Sequence, residues 1–257
     1  MTSALSLIAW QVRYEQRSFW RNRRASLFGF LFPVLLFVIF ATLNKHAHLD
    51  VGGVSVPYVT WYLPGIIAYA LVTTAFSNLA ISLASARDTG VLKRVRGTPL
   101  PWWAFLAGRV GSALAVATLT TALLLALGAI TYGVDISVET LPGLILALVL
   151  GAACFTALGI AVVRFMPSAE SAGPVLAILV TPVALVSNVF FPVSHGWITD
   201  VAGVLPLKPL SDALHTAFAP ATAAPGIVWS DLLGLAVWLG FGSAMMVRFL
   251  RVQARAE

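Results

Sequence analysis

The sequence predicts an all-α polytopic membrane protein. It reads as a single transmembrane domain over residues 1–257, with six spanning helices, an amphipathic interfacial helix before the first and a re-entrant or interfacial helical segment before the last. Three observations predict this. Hydrophobic residues make up 59% of the chain and charged ones 10%, against about 25% charged in a typical soluble domain, so a water-soluble fold would lack the polar surface to cover itself. Six apolar runs, 27–43, 63–84, 110–132, 141–163, 173–191 and 229–247, stand in the chain, and most can bridge a hydrocarbon core about 30 Å thick at about 1.5 Å of rise per residue. Finally, fourteen of the sixteen Lys and Arg residues fall on one side of those runs. Five precede the first (Arg13, Arg17, Arg21, Arg23, Arg24), and five lie between the second and third (Arg87, Lys93, Arg94, Arg96, Arg109). Arg164 follows the fourth, Arg248, Arg251 and Arg255 follow the sixth, and only Lys45 and Lys208 lie opposite. The positive-inside rule then places both termini in the cytoplasm and the chain, multi-pass, in the plasma membrane.

In residues 1–26, Leu5, Ile8, Ala9, Val12 and Phe19 fall near one helical face, while Arg13, Arg17, Arg21 and Arg24 follow at intervals of four, four and three. That pattern predicts an amphipathic helix on the inner leaflet, with Trp10, Phe19 and Trp20 buried at the interface. The Arg23-Arg24 pair precedes an apolar run that ends at Ala41-Thr42-Leu43-Asn44 without a small-residue cleavage site, so the first span is expected to be retained. Pro33 in the first span and Pro182 in the fifth each remove a backbone donor and predict bends.

The segment 87–109 is the longest inner connection. Its last part reads as helical, with Thr98 as cap, Pro99 in the first turn and Trp102-Trp103 at the interface, so it is expected to lie along the membrane surface. Asp50, Asp135, Glu139, Asp200 and Asp212 fall in the outer loops. The segment 192–228 carries Trp197, Val201, Val204, Leu205 and Leu207, which predicts short re-entrant or interfacial helices packed back on the bundle. Small residues on the spans, Gly111 with Ala115, then Gly151, Gly159, Gly234 and Gly242, permit close helix packing.

Several function classes are disfavoured. The net charge of +6 comes from residues flanking apolar spans, which read as topology signals and lipid contacts and not as a nucleic-acid surface. A carboxylate or base at mid-bilayer costs about 2.5 to 3.5 kcal/mol and normally marks an ion path; the sequence places every charge at a span end, in a loop or in a terminus. No H-E-x-x-H, G-x-S-x-G or G-x-x-x-x-G-K-[ST] motif occurs, so no catalytic residue is assigned. His46, His48, His195 and His215 all fall in outer segments, and the His46/His48 pair lacks further ligands, so no metal site is assigned. Cys154, the only cysteine, reads as a small packing residue within a span.

The spans do contain neutral polarity. Thr73, Thr74, Ser77, Asn78, Ser82 and Ser85 lie on the second, with Thr74, Asn78, Ser82 and Ser85 along one face, and Thr181, Ser187 and Asn188 lie on the fifth. Such a stripe lines a path or binds a neighbour, although Ser and Thr equally satisfy themselves on their own backbone carbonyls. Thr74, Ser77, Asn78, Thr181 and Asn188 are the candidate path residues, with Asn78 and Asn188 the costliest to hide.

The stretch Arg87-Asp88-Thr89-Gly90-Val91-Leu92-Lys93-Arg94-Val95-Arg96-Gly97-Thr98-Pro99-Leu100 resembles the second cytoplasmic segment of the membrane subunits of type-2 ABC exporters. Asp88, Gly90, Leu92, Arg94, Arg96, Thr98 and Pro99 fit that family's pattern, while Val91, Lys93 and Val95 depart from it. The likeness extends to the basic N-terminal helix, to Phe32-Pro33, and to Phe191-Pro192 followed by Leu205-Pro206-Leu207. The resemblance implies a six-helix permease without its own ATPase site, paired with a second membrane subunit (the same chain or a paralogue) and two ATP-binding subunits that hold ATP and Mg. It further implies that Asp88, Gly90, Leu92, Lys93, Arg94 and Arg96 couple to the ATPase, that the helix bearing Arg13, Arg17 and Arg21 lies near it, and that the second and fifth spans line a route for a drug, lipid or lipid-linked glycan. An ion-coupled secondary carrier and a non-transporting structural or regulatory membrane protein are the rival readings.

Overall fold

The computed structural model describes residues 4–51, 53–91, 94, 97, 100–193, 196–218 and 226–255, and side chains for all of these except 24, 25, 102 and 249–255. Within them the chain is almost wholly helical. Helix α1 is Ala4–Arg21, and α2 passes from Arg23–Ser26 through a π-helical stretch, Leu27–Leu31, to Phe32–Leu43. A two-stranded antiparallel hairpin follows, β1 His48–Val51 and β2 Val54–Pro57. Helix α3 runs over Tyr58–Val72, a second π-helical stretch, Thr73–Asn78, and Leu79–Asp88. Then come α4 (Trp102–Tyr132), α5 (Leu141–Val162), α6 (Ala169–Val186), α7 (Gly196–Val204), α8 (Leu207–Phe218) and α9 (Trp229–Arg255).

Among the described residues five helices are long and apolar enough to cross a membrane, namely α3, α4, α5, α6 and α9. The remaining expected span, Leu27–Leu43, forms a shorter apolar helix within α2. Its π-helical stretch has a physical cause. Pro33 has no amide proton to offer the preceding turn, and the Phe32 amide reaches back to the Leu27 carbonyl five residues earlier.

Helix α3 forms the centre of the bundle. Two-thirds of its span (67%) is buried, against 17% for α9 and 22% for α6, and Tyr62, Leu63, Ile66, Ile67 and Ala70 are almost entirely enclosed. Apolar residues surround it on every side, the pattern of a helix with no solvent face. Around it pack α2, α4, α5, α8 and the start of α6, while α9 lies along α5.

The segment before the last span folds as expected into two short helices, α7 and α8. Helix α8 enters the bundle between α3, α5 and α9 with Leu207, Leu210, Leu214 and Phe218 buried. The small residues singled out from the sequence sit at these contacts. A Cβ on Gly151 would meet Leu210 at 2.6 Å and one on Gly159 would meet the Ala75 and Phe76 carbonyls at 3.0 Å. Ala115 takes no part, because it is exposed.

Two local expectations are corrected. The segment before the third span is not a surface helix set apart from it, because α4 begins at Trp102 with Pro101 as its cap and continues unbroken to Tyr132. The expected cap, Thr98, and Pro99 lie outside the described residues. Lys208 and Asp212, read as loop charges, lie on α8, with Lys208 only 9% exposed.

Gly65 shows how tight the packing is, since a Cβ there would fall 2.2 Å from the Val189 carbonyl oxygen. Gly65→Ala should therefore destabilise the fold by about 1–3 kcal/mol despite its better helix propensity. Gly173→Ala, which faces open space, should not; thermal melting in detergent compares the two.

Candidate functional site

The C-terminal end of α3 is where the sequence placed the candidate coupling residues, and several chains of contact converge there. The helix stops because Gly90 takes a left-handed conformation (φ +71°), which costs glycine nothing. The Thr89 amide donates to the Ser85 carbonyl at 2.9 Å and the Gly90 amide to the Arg87 carbonyl at 3.2 Å. One further turn follows, in which the Arg94 amide donates to the Gly90 carbonyl at 3.1 Å. Arg94 is exposed. Leu92, Lys93 and Arg96 lie outside the described residues.

Asp88 and Arg87 turn inward to the chain. The Asp88 carboxylate accepts the Ala169 amide at 2.5 Å and pairs with Arg87 at 3.0 Å. Ala169 opens α6, whose first turn is also closed by a reciprocal cap between Ser168 and Ser171, so Asp88 places negative charge where the helix has unpaired amides. Arg87 donates to the carbonyls of Val163 at 3.1 Å and Met166 at 2.9 Å, satisfying the open end of α5. The end of α3 is thereby clasped to the connection between α5 and α6.

A second inner cluster was missed by the sequence reading. Helix α1 packs along α4. Its buried positions are polar, Gln11 and Glu15, whereas Trp10 and Trp20 are exposed. Glu15 pairs with Arg109 of α4 at 3.4 Å, and Gln16 donates to the Ser112 carbonyl at 2.9 Å. Arg109 also donates to the Ser82 carbonyl of α3 at 2.9 Å and stands 4.7 Å above the Phe105 ring. Burial pushes the Glu15 carboxyl above its ordinary value, more than Arg109 and Gln11 draw it back. The available signal was that Glu15 is the only acid among the first 49 residues, inside a basic helix. Arg13, Arg17 and Arg21 are exposed, as expected.

The path candidates do not come together in this chain. Thr74 bonds its own helix at the Ala70 carbonyl, as Thr73 does at 3.0 Å. Ser77 is half-buried and Thr181 is exposed on α6. Asn78 ends the π-helical stretch of α3, which packs against that of α2. Its buried Nδ2 has no hydrogen-bond partner and occupies the space a side chain at Gly29 would need. Asn188 is a turn residue with φ 57°. It donates to Asp212 at 3.0 Å and accepts the Val193 amide at 2.9 Å, while Asp212 also holds Lys208. Nearby, burial holds His215 below its ordinary value, and its Nδ1 is bonded to the Ser211 carbonyl at 2.7 Å.

A cleft of about 280 Å³ opens between α3, α5, α6 and α9, roofed by the turn Leu205-Pro206-Leu207. Phe76, Phe155, Leu179, Phe241 and Met245 line it, and no lining residue is charged. Trp238 closes one edge, donating to the Val204 carbonyl at 2.9 Å.

Comparison with known proteins agrees with this architecture. The chain is similar to the inner membrane transport permease YadH of Escherichia coli K12, 28% identical over 161 residues, which is 61% of this chain and 60% of that protein. It is also similar to the probable multidrug ABC transporter permease YbhR of the same strain, 23% identical over 197 residues, 76% of this chain and 53% of that protein. The chain thus spans a little over half the length of these relatives. The profile of the ABC-2 type transporters matches residues 6–218. That match runs from the first turns of α1 to the end of α8, so the chain belongs to the ABC-2 type transporter family, as a type-2 ABC permease subunit.

Proposed function

We propose that this chain is the membrane-spanning half of an ATP-driven exporter, moving an amphiphile out of the cytoplasm by alternating access that two separate ATP-binding subunits drive. ATP and Mg belong to those subunits. Closure of the ATPase pair pushes the segment that includes Gly90, Leu92, Lys93, Arg94 and Arg96, and the membrane dimer switches access outward.

The observation that carries this reading is the clasp at the inner end of α3. Arg94 is exposed to a partner, while Arg87 and Asp88, a few residues earlier, tie the same helix end to α5 and α6. A push on the exposed turn at Arg94 is delivered to three helices at once. The apolar cleft and its lack of charge suit the hydrocarbon part of an amphiphile, in keeping with the word multidrug in one relative's name. In this reading the route forms between this chain and a second membrane subunit, with Thr181 exposed on α6 as a candidate lining residue.

Reconstitution with an ABC-type ATPase tests the whole reading: substrate-stimulated ATP hydrolysis should appear in proteoliposomes, and its absence with every candidate ATPase defeats it. Replacing Gly90 by Val and Arg94 by Ala should lower coupled turnover about tenfold or more while leaving membrane insertion intact. A membrane-impermeant amine reagent applied to intact cells should spare Lys93; modification there would put the coupling segment on the wrong side.

Thr181→Leu should shift substrate preference in a transport assay. Asn188→Leu should instead lower thermal stability, by about 1–3 kcal/mol, because it leaves Asp212 short of a partner and forces a branched side chain into a left-handed turn.

A further inference from the structure

We propose that Glu15 and Arg109 are a positioning pair that locks α1 to the inner ends of α3 and α4, so that an ATP-driven push moves the three helices as one body. This rests on the transport reading above. Three observations carry it. Arg109 touches all three elements: it pairs with Glu15 of α1 at 3.4 Å, donates to the Ser82 carbonyl of α3 at 2.9 Å and belongs to α4 itself. Both charged groups are enclosed, their side chains 13% and 9% exposed. The helices touch closely on either side of the pair, where side chains at Gly108 and Gly111 would collide with Gln11 and Val12 at 2.1 and 2.7 Å.

The pair is a poor device for stability. Taking both charges out of water costs about as much as their attraction returns, in line with the upward push on the Glu15 carboxyl. What the pair supplies is direction. An apolar seam lets a helix slide or roll, whereas an ion pair with a further bond to a third helix fixes register and rotation. Removing one partner strands the other charge in the seam and releases α1. The exposed face of α1, with Arg13, Arg17 and Arg21, is then no longer held in a constant relation to the Gly90 turn.

A disulfide can replace the pair. Val12 Cβ lies 4.0 Å from the place a Cβ on Gly111 would take, inside the window of about 3.5–4.5 Å for a disulfide, and Cys154 is buried and can remain. With Val12→Cys and Gly111→Cys in the chain alone in liposomes, mild oxidation should cross-link efficiently. Adding Glu15→Gln should slow cross-linking about fivefold or more; an unchanged rate overturns the proposal without reference to any ATPase. In the complex with its ATPase, Glu15→Gln should lower the substrate moved per ATP about fivefold or more, and the oxidised cysteine pair should restore it to within about twofold. A tethered Glu15→Gln complex that stays uncoupled, or an otherwise wild-type tethered complex that loses coupling because α1 must move against α4, overturns the positioning role. A wild-type complex with no coupled turnover overturns the transport reading, and the cross-linking rate then still decides whether the pair holds α1.

Discussion

An apolar helix gains little by exchanging lipid for another apolar helix, so a bundle in a membrane must be held by close packing and by polar ties. The architecture of this chain follows from that constraint. Close packing is achieved where glycine lets a neighbour's backbone or side chain fill the missing volume, as at Gly65 against the Val189 carbonyl and Gly159 against the carbonyls of α3. Helix α3, lined by such contacts, becomes the element that every conformational change of the bundle must move or move around.

The polar ties concentrate at the two ends. On the outer side, Asn188, Lys208 and Asp212 pin the turn after α6 to α8, and Thr140 donates to the Ala217 carbonyl at 2.8 Å to hold the far end of α8. On the inner side, Arg87 and Asp88 clasp α3 to α5 and α6, and Arg109 joins α3, α4 and α1. Arg87 and Arg109, which carry these ties, belong to the basic set that lies on one side of the spans. Charges that make up the asymmetry therefore also tie the bundle together.

Much of this was legible in the sequence, and the reasons differ by element. Hydropathy alone places α3, α4, α5, α6 and α9, because spanning a bilayer demands length and apolarity whatever the neighbours are. The helices α7 and α8 followed from an apolar loop needing internal hydrogen bonds. The polar stripe was legible as composition but not as function. Whether Thr74 faces a path or its own carbonyl, and whether Asn188 faces a route or makes a turn, depends on rotation and on helix ends that periodicity does not fix. The resemblance puts Asp88 among the coupling residues, and its carboxylate sits on the first amide of α6, 81 residues away in sequence.

The sequence by itself determined the class, the long apolar helices and the charge asymmetry, since each depends on the transfer of local chain from water to lipid. Only the tertiary structure decided which of those charges are tied within the chain and which remain exposed. Glu15 and Arg109 lie 94 positions apart in the printed sequence, and nothing in either neighbourhood encodes the other. Their meeting depends on how α1 docks along α4, through glycine contacts and hydrogen bonds that exist only when the helices are assembled.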